Sequence, residues 1–497
     1  MVIQLFSKPM YTFIISLIVL LVASYAYGKL IERFVHPDAH RKTPCYTCQD
    51  GVDFIPMPTW KVYLIQFLNI AGTGPIFGAI QGILFGPAAY FWIVLGCIFG
   101  GAVHDYLSAM ISLQRNGASL PEIVGDELGH TARIIMRIFA LILMILVGAV
   151  FVTTPAGLLA SMFGNPDSIA GSSLLWMLII IVYYIFATIL PIDKLIGRIY
   201  PLFGVALLVM AIGMLGGVLC YGGELPEITS AFSNHHPSSS IPIFPGLCIT
   251  IACGAVSGFH ATQSPMMARC LKNETKGRLV FYGAMITEGV VALIWAAAAI
   301  KFADSITDYE GTPYQKLWAL MTHGGTSNPN PALVVNAICQ SWLGTAGAIL
   351  AILGVVAAPI TSGDTAFRCA RLISADFLRI RQDKVLKRLL LSLPIFAIAI
   401  VLMFVKFDVL WRYFAWFNQT LSVFTFWTIT VYLAKKKQPY IFTLLPALFM
   451  TYVCTTYIFV APEGFTLEQG LSYLIGGICI GIAIVWFFRW KRRAVRQ

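Results

Sequence analysis

The chain has 497 residues, 58% of them hydrophobic and only 11% charged, with a mean hydropathy of +0.79 and a formal net charge of +11. Soluble domains carry about 25% charged residues, so this composition excludes a soluble enzyme and points to a polytopic membrane protein. The positive balance does not mark a nucleic-acid binder, because the basic residues fall in alternating short segments that a bilayer explains.

In chain order, apolar runs of spanning length predict thirteen helices, at about residues 10–30, 61–84, 87–113, 133–162, 172–190, 197–221, 243–268, 277–302, 344–375, 386–406, 409–434, 439–460 and 467–490. The first is longer than a signal-peptide core and lacks a small-x-small cleavage pattern, so it reads as a retained helix. The ninth has the least definite start, since residues 331–343 can form a separate hairpin or re-entrant piece before it. Segments that follow odd-numbered helices hold 29 of the 34 Lys and Arg residues, and the remaining segments hold 5. By the positive-inside rule the N-terminus is expected outside and the basic C-terminal tail in the cytoplasm. Most of the eleven cysteines lie in apolar runs, where they act as small hydrophobes, and no disulfide framework is expected.

Two of the predicted spans are interrupted near mid-depth. Gly72, Thr73, Gly74 and Pro75 break the second helix, and the stretch from Cys253 to Pro265 breaks the seventh. Glycine and proline weaken a helix, and in hydrocarbon the freed backbone groups persist only where they line a protein-buried or watery cavity. The broken helices are five apart, an odd offset, so they are expected to run in opposite directions through the bilayer. An inverted repeat of five plus five helices has that property, with a binding site at the breaks. The expected organisation is an N-terminal helix and linker (1–60), two five-helix repeats (61–221 and 222–434) and a C-terminal helix pair with a basic tail (435–497).

The candidate substrate residues are those at the breaks. They are Gly72, Thr73, Gly74 and Pro75 in the first, and Gly254, Ser257, Gly258, His260, Thr262 and Gln263 in the second. Half-helix ends present free N–H groups to a carboxylate or free carbonyls to a cation. Glu288 stands near the middle of the eighth helix with no basic residue of that helix in reach, which makes it a candidate proton carrier. His260 can hold a proton at physiological pH. His104 and Asp105, late in the third helix, read either as an inner gate or as polar groups snorkelling to water. Asp364 and Arg368 are spaced i, i+4 in the ninth helix, so a local salt bridge is the simplest expectation for them, with Asp364 and Asp105 kept as ion-coupling candidates. Before the first break, His36, His40, Cys45 and Cys48 offer four zinc-type ligands within 13 residues, a weak signal without a second CxxC.

The stretches DGVDFIPMPTWK (Asp50–Lys61), NIAGTGPIFGAI (Asn69–Ile80), GAVHDYLSAMISLQRNGASLPEIVG (Gly101–Gly125), LPIDKLIGRIYP (Leu190–Pro201), GFHATQSPMMARCLKNE (Gly258–Glu274) and PITSGDTAFRCARLISADF (Pro359–Phe377) resemble the carbon starvation protein (CstA) family. The resemblance covers the chain from Asp50 to about Tyr432, and the length is similar to the shorter branch of that family. It implies an all-helical transporter of the inner membrane related to the LeuT-type five-plus-five fold, taking up peptides or small carboxylates such as pyruvate. It also implies that Thr361 and Ser362 look like the hydroxyl pair that such folds give to a sodium ion beside the first broken helix.

The reading is therefore a secondary active transporter in the cell inner membrane, surrounded by lipid and acting on a small molecule. It would be driven by H+ or Na+, between which the sequence leaves the choice open, and no other cofactor is expected. No GxxxxGK[ST] loop or soluble domain for ATP hydrolysis stands in the sequence, and no catalytic constellation stands in the spans. The alternative is a membrane nutrient sensor that binds the same solutes without moving them. The small cytoplasmic segments argue against it.

Overall fold

The apolar runs form helices because a bilayer offers the backbone no partner but itself. The computed structural model describes residues 10–494, apart from 52, 164–167, 190–191, 239–240, 326–328 and 383. Among the described residues there is no strand, only one isolated bridge between Met57 and Leu271. We number the helices as follows. Helix α1 is Tyr11–Val35, α2 Thr59–Ala71 and α3 Gly74–Phe85, the last two bent by 48° at the first break. Next come α4 (Ala88–Gln114), the short α5 (Leu120–Leu128), α6 (His130–Phe163), α7 (Ser173–Ile189) and α8 (Ile192–Cys220). The second break separates α9 (Ile243–Thr250) from α10 (His260–Ala268). Then follow α11 (Gly283–Ser305), α12 (Pro313–Met321), α13 (Pro331–Ala351) and α14 (Ala357–Leu378). The chain ends with α15 (Val385–Leu402), α16 (Phe407–Lys435), α17 (Ile441–Val460) and α18 (Gln469–Ala494).

Eight helices of the described residues are long and apolar enough to cross a membrane, or nine if α2 and α3 are one span. That makes the protein multi-pass, although the expected thirteen spans are not reached on length and hydropathy. The difference has physical causes. Helix α14 carries Asp364, Arg368 and Arg371 in its buried face, which lowers its hydropathy, and the second break leaves only short pieces. The ambiguity before the ninth predicted span is resolved by Gly344, whose φ of +57° interrupts α13 and sets the segment from Pro331 apart.

The first break is sharp. Gly72 adopts φ +48°, ψ −138°, a conformation that favours glycine. Pro75 then sits in the first turn of α3, where its missing N–H costs no hydrogen bond. The second break is the irregular stretch from Ile251 to Phe259, so Thr262, Gln263 and Pro265 lie on regular helix α10, against the expectation of a break extending to Pro265.

The two breaks touch. A Cβ added at Gly74 would overlap the Cys253 side chain, and one at Gly254 would come 2.6 Å from Ala292 of α11. Helix α4 meets the second break with a glycine face. Gly96 and Gly100, a GxxxG pair, pack on Ala255 and Val256, and a Cβ on Gly101 would overlap the Ala255 carbonyl. Gly258 is equally closed, against the Asn418 carbonyl and the Ser422 amide of α16.

An aromatic cluster packs at the end of α3. His235 stacks on Tyr314 with ring centroids 4.5 Å apart, and His236 packs on Phe85 at 4.8 Å and Trp318 at 5.5 Å. Burial in this loop pushes the His236 imidazole down to about 4, so that ring is uncharged near neutral pH.

Gly258→Ala should destabilise the protein by about 1–3 kcal/mol, as overpacking against rigid backbone does. Gly157→Ala, where an added Cβ meets nothing within 4 Å, should be neutral. Thermal unfolding of the two detergent-purified variants compares them, and equal midpoints would contradict this packing.

Candidate functional site

Breaking a helix frees backbone groups that something must satisfy. At the second break the partners are side chains from elsewhere. The Phe259 N–H donates to Asn418 Oδ1 at 2.7 Å, Gly258 N–H to the Asn418 carbonyl at 3.2 Å, and Ser257 Oγ to Asn418 Oδ1 at 3.1 Å. Gln419 donates to the Cys248 carbonyl in α9 at 2.8 Å, and Trp92 Nε1 to the Ile251 carbonyl at 2.8 Å. At the first break Thr73 accepts from the amides of Ile76 and Phe77 at 3.2 and 2.8 Å through its carbonyl. Of the half-helix ends expected to offer free groups at the second break, the Gly258 and Phe259 amides and the Cys248 and Ile251 carbonyls are held by Asn418, Gln419 and Trp92. Asn418 and Gln419 were missed in the sequence. Their signal was an adjacent amide pair inside an otherwise apolar run.

The same place gathers the isolated charges. Asp105 of α4 lies with one carboxylate oxygen 2.8 Å from His104 Nδ1 and the other 2.9 Å from His260 Nδ1. The far nitrogen of His260, Nε2, is 3.5 Å from Glu288 Oε2 of α11. Cys253 completes the group, since its Sγ, a His260 nitrogen and a Glu288 oxygen all lie within 4.8 Å of one another. All of these side chains except that of Cys253 have 0% exposure, and Cys253 has 2%. Asp105 is therefore not a residue snorkelling to water; it stands nine residues before the end of α4, beside His260. The chain brings together Asp105, His260 and Glu288, three residues that the sequence offered separately, in a row of carboxylate, imidazole and carboxylate.

The remaining candidates surround this row. Gly72 faces the Phe151 ring and Ser362 Oγ, and the Thr73 hydroxyl is buried without a hydrogen bond among the described residues. Thr262 Oγ1 donates to the Phe259 carbonyl at 2.7 Å, and Gln263 Nε2 donates to Thr262 Oγ1 at 3.1 Å. Gln66 of α2 reaches Ser264 of α10 at 3.0 Å and ties the two broken helices together. Ser362 Oγ donates to the Leu68 carbonyl of α2 at 3.0 Å, and Thr361 Oγ1 to the Ala358 carbonyl at 2.7 Å. The pair thus stands beside the first broken helix, with its hydroxyl protons already on protein carbonyls.

Two expectations change. Asp364 does not pair with Arg368. It accepts from the Tyr200 hydroxyl at 2.6 Å, while Arg368 reaches Asp53 at 3.7 Å and the Ala187 carbonyl at 3.2 Å. Residues i and i+4 can meet on a helix surface, but here both point into the protein, where neighbouring helices compete for them. His36, His40, Cys45 and Cys48 are not brought together as a zinc site. Cys45 is buried with its thiol on the Leu271 carbonyl at 3.4 Å, and the one group of three or more ligand-type residues among the described residues is the Cys253 cluster.

Comparison with known proteins follows from this geometry. The family profile described as "Carbon starvation protein CstA" matches residues 8–169 and 158–309. An uncharacterized membrane protein of Haemophilus influenzae is 42% identical over 344 residues, covering 60% of this chain and 93% of that one. The pyruvate/proton symporter BtsT of Escherichia coli is 27% identical over 403 residues, 69% of this chain and 56% of the symporter. The peptide transporter CstA of Mycobacterium tuberculosis is 31% identical over 332 residues, 54% of this chain and 43% of the transporter. The chain thus spans about half the length of these named transporters. Among solved structures, the Eremococcus coleocola manganese transporter superposes with a TM-score of 0.54 at 13% identity, over 90% of this chain and 99% of that one. At that identity the likeness is one of fold.

Removing the Asn418 amide should cost about 1–3 kcal/mol, the penalty of leaving a buried donor unpaired. In Asn418→Ala, hydrogen exchange across residues 253–260 should quicken, whereas Asn418→Asp, which keeps the acceptor, should stay closer to the parent. Unchanged exchange in the alanine variant would show that Asn418 does not hold the break.

Proposed function

Since the chain belongs to the carbon starvation protein CstA family, we propose that it is a secondary active transporter of the inner membrane, moving a small carboxylate-bearing solute with protons. The solute is a short peptide or a pyruvate-like acid, and the face with the basic loops is cytoplasmic. The reading is supported by the named transporters among its relatives and by a fold shared with a solved transporter.

The observation that carries it is the buried row Asp105–His260–Glu288. Its three members belong to α4, α10 and α11, so relative movement of these helices must change the pairing. Two carboxylates about one imidazole, away from water, exchange protons as a unit and not as independent groups. A protonated His260 can balance either carboxylate, and a shift of α10 changes which one it meets. Proton binding is in this way tied to helix position, as coupling requires. Sodium is the second reading, because the Thr361 and Ser362 hydroxyls donate their protons to backbone carbonyls and so keep their lone pairs for a hard cation.

Glu288→Gln tests the proposal. The variant keeps the shape but cannot ionise. It should lose uphill accumulation under an acid-outside gradient while still exchanging internal for external solute, since exchange needs no net proton movement. Undiminished accumulation would remove Glu288 from the relay. Uptake in proteoliposomes with proton and sodium gradients imposed separately decides the ion, and accumulation driven by sodium alone would replace the proton reading by one centred on Thr361 and Ser362.

A further inference from the structure

The row of buried groups bears on coupling but not on recognition, and several backbone groups of the second break already have protein partners. A separate cavity opens at the basic-loop face. It has a volume of about 830 Å³ and is lined by residues from Phe54 and Arg115 to Thr262 and Cys369. Thr262 is two residues beyond His260, so the cavity comes within one helical turn of the relay. Its size falls within the few-hundred to thousand Å³ range usual for small-molecule sites.

The wall carries seven ionisable side chains of the Asp, Glu and Arg types. Five are engaged within the protein. Arg115 pairs with Asp126 at 3.3 Å and with Glu127, and Arg133 pairs with Asp126 at 2.7 Å. Asp53 faces Arg368, and Glu122 closes the cap of α5 by accepting from the Ser119 amide at 2.8 Å. Two remain. Arg269, at the end of α10, donates through Nε to the Gly117 carbonyl at 2.9 Å and lies over the Phe54 ring at 4.9 Å. Those contacts fix the plane of the guanidinium and leave its two terminal nitrogens without an ion-pair partner among the described residues. Asp376, exposed in the last turn of α14, makes no hydrogen bond or contact ion pair among the described residues, and the Arg269 and Arg137 charges lie within electrostatic reach of its carboxylate.

We propose that this cavity docks a zwitterion, the solute's carboxylate on the fork of Arg269 and its ammonium on Asp376. The proposal rests on the transporter reading above and names the residues that would choose its substrate. A planar guanidinium held by stacking offers the bidentate geometry that a carboxylate takes up. Were the solute a simple monocarboxylate, Arg269 alone would suffice and Asp376 would repel it. A cation and an anion that face the same cavity without forming a contact ion pair instead match a solute with both charges, an amino acid or short peptide with free ends. A zwitterion leaves the charge of the wall unchanged, so the solute adds no net charge to the movement of α10.

The test is binding of radiolabelled dialanine to the detergent-purified full chain, with unlabelled dialanine, N-acetyl-dialanine and pyruvate as competitors. Dialanine should compete roughly ten- to a hundredfold better than the N-acetyl form, the effect of losing one charged hydrogen bond. Asp376→Asn should abolish that preference and leave the two about equal. Arg269→Gln should weaken dialanine by a similar factor, with Arg269→Lys recovering part of it, since lysine keeps the charge without the fork. Equal competition by the two peptides in the parent protein, or a preference that survives Asp376→Asn, would overturn the proposal. Pyruvate accumulation in proteoliposomes alongside absent dialanine binding would overturn it too, while the transporter reading stands. Failure of every solute to accumulate under either gradient would instead defeat the transporter reading.

Discussion

The constraint on which the structure depends is that no backbone N–H or carbonyl can be left unpaired in hydrocarbon. Two interrupted helices violate it locally, and the fold answers by bringing the interruptions into contact and lining them with amides. Asn418 and Gln419 of α16 and Trp92 of α4 take the groups that α9 and α10 release. The glycines of α4 and those at the breaks are what let backbone approach backbone closely enough for this. An amide pair in one helix therefore fixes a break that lies more than 150 residues earlier in the chain.

Once irregular backbone is fixed at the centre, ionisable groups can be held there as well. A lone carboxylate on an apolar helix is costly, and Glu288 on α11 has that character when α11 is considered by itself. Beside His260, with Asp105 beyond, it becomes part of a row in which each member offsets the desolvation of the next. The same reasoning explains Arg368, whose partner is Asp53 in the linker before α2 and not its helix neighbour Asp364. Each of these pairs joins elements that are distant in sequence, so each responds to a relative shift of helices, whereas a pair within one helix would not.

Much of this was legible in the sequence, and the limits follow one rule. Breaks announce themselves locally, because Gly72 to Pro75 and Gly254 to Gly258 are written in consecutive residues. Individual polar residues in apolar runs are also local, so Asp105, His260 and Glu288 each stood out. Which of them meet depends on helix packing, and nothing in the neighbourhood of Asp105 reveals a histidine 155 residues away. Local spacing misled wherever it suggested a local partner, as with Asp364 and Arg368 or with His36, His40, Cys45 and Cys48. The helix count suffered from a related cause. Hydropathy identifies spans that face lipid, and α14, wrapped by other helices, can afford three charges that a lipid-facing helix could not.

Helix α10 connects these features. His260 begins it and Arg269 follows its last residue, with Thr262 and Gln263 between, so the two ends are about 13 Å apart by helical rise. One end belongs to the buried row and the other to the cavity wall. A short helix is stiff over that length, and on the proposed reading a displacement that seats a solute against Arg269 would be transmitted to the pairing of His260 with Asp105 and Glu288. Gly258, pressed on the α16 backbone, and the Gln66–Ser264 contact with α2 define what the helix can move against. Coupling between solute and proton then needs no chain of intermediates: it follows from one rigid element having a charge-bearing site at each end.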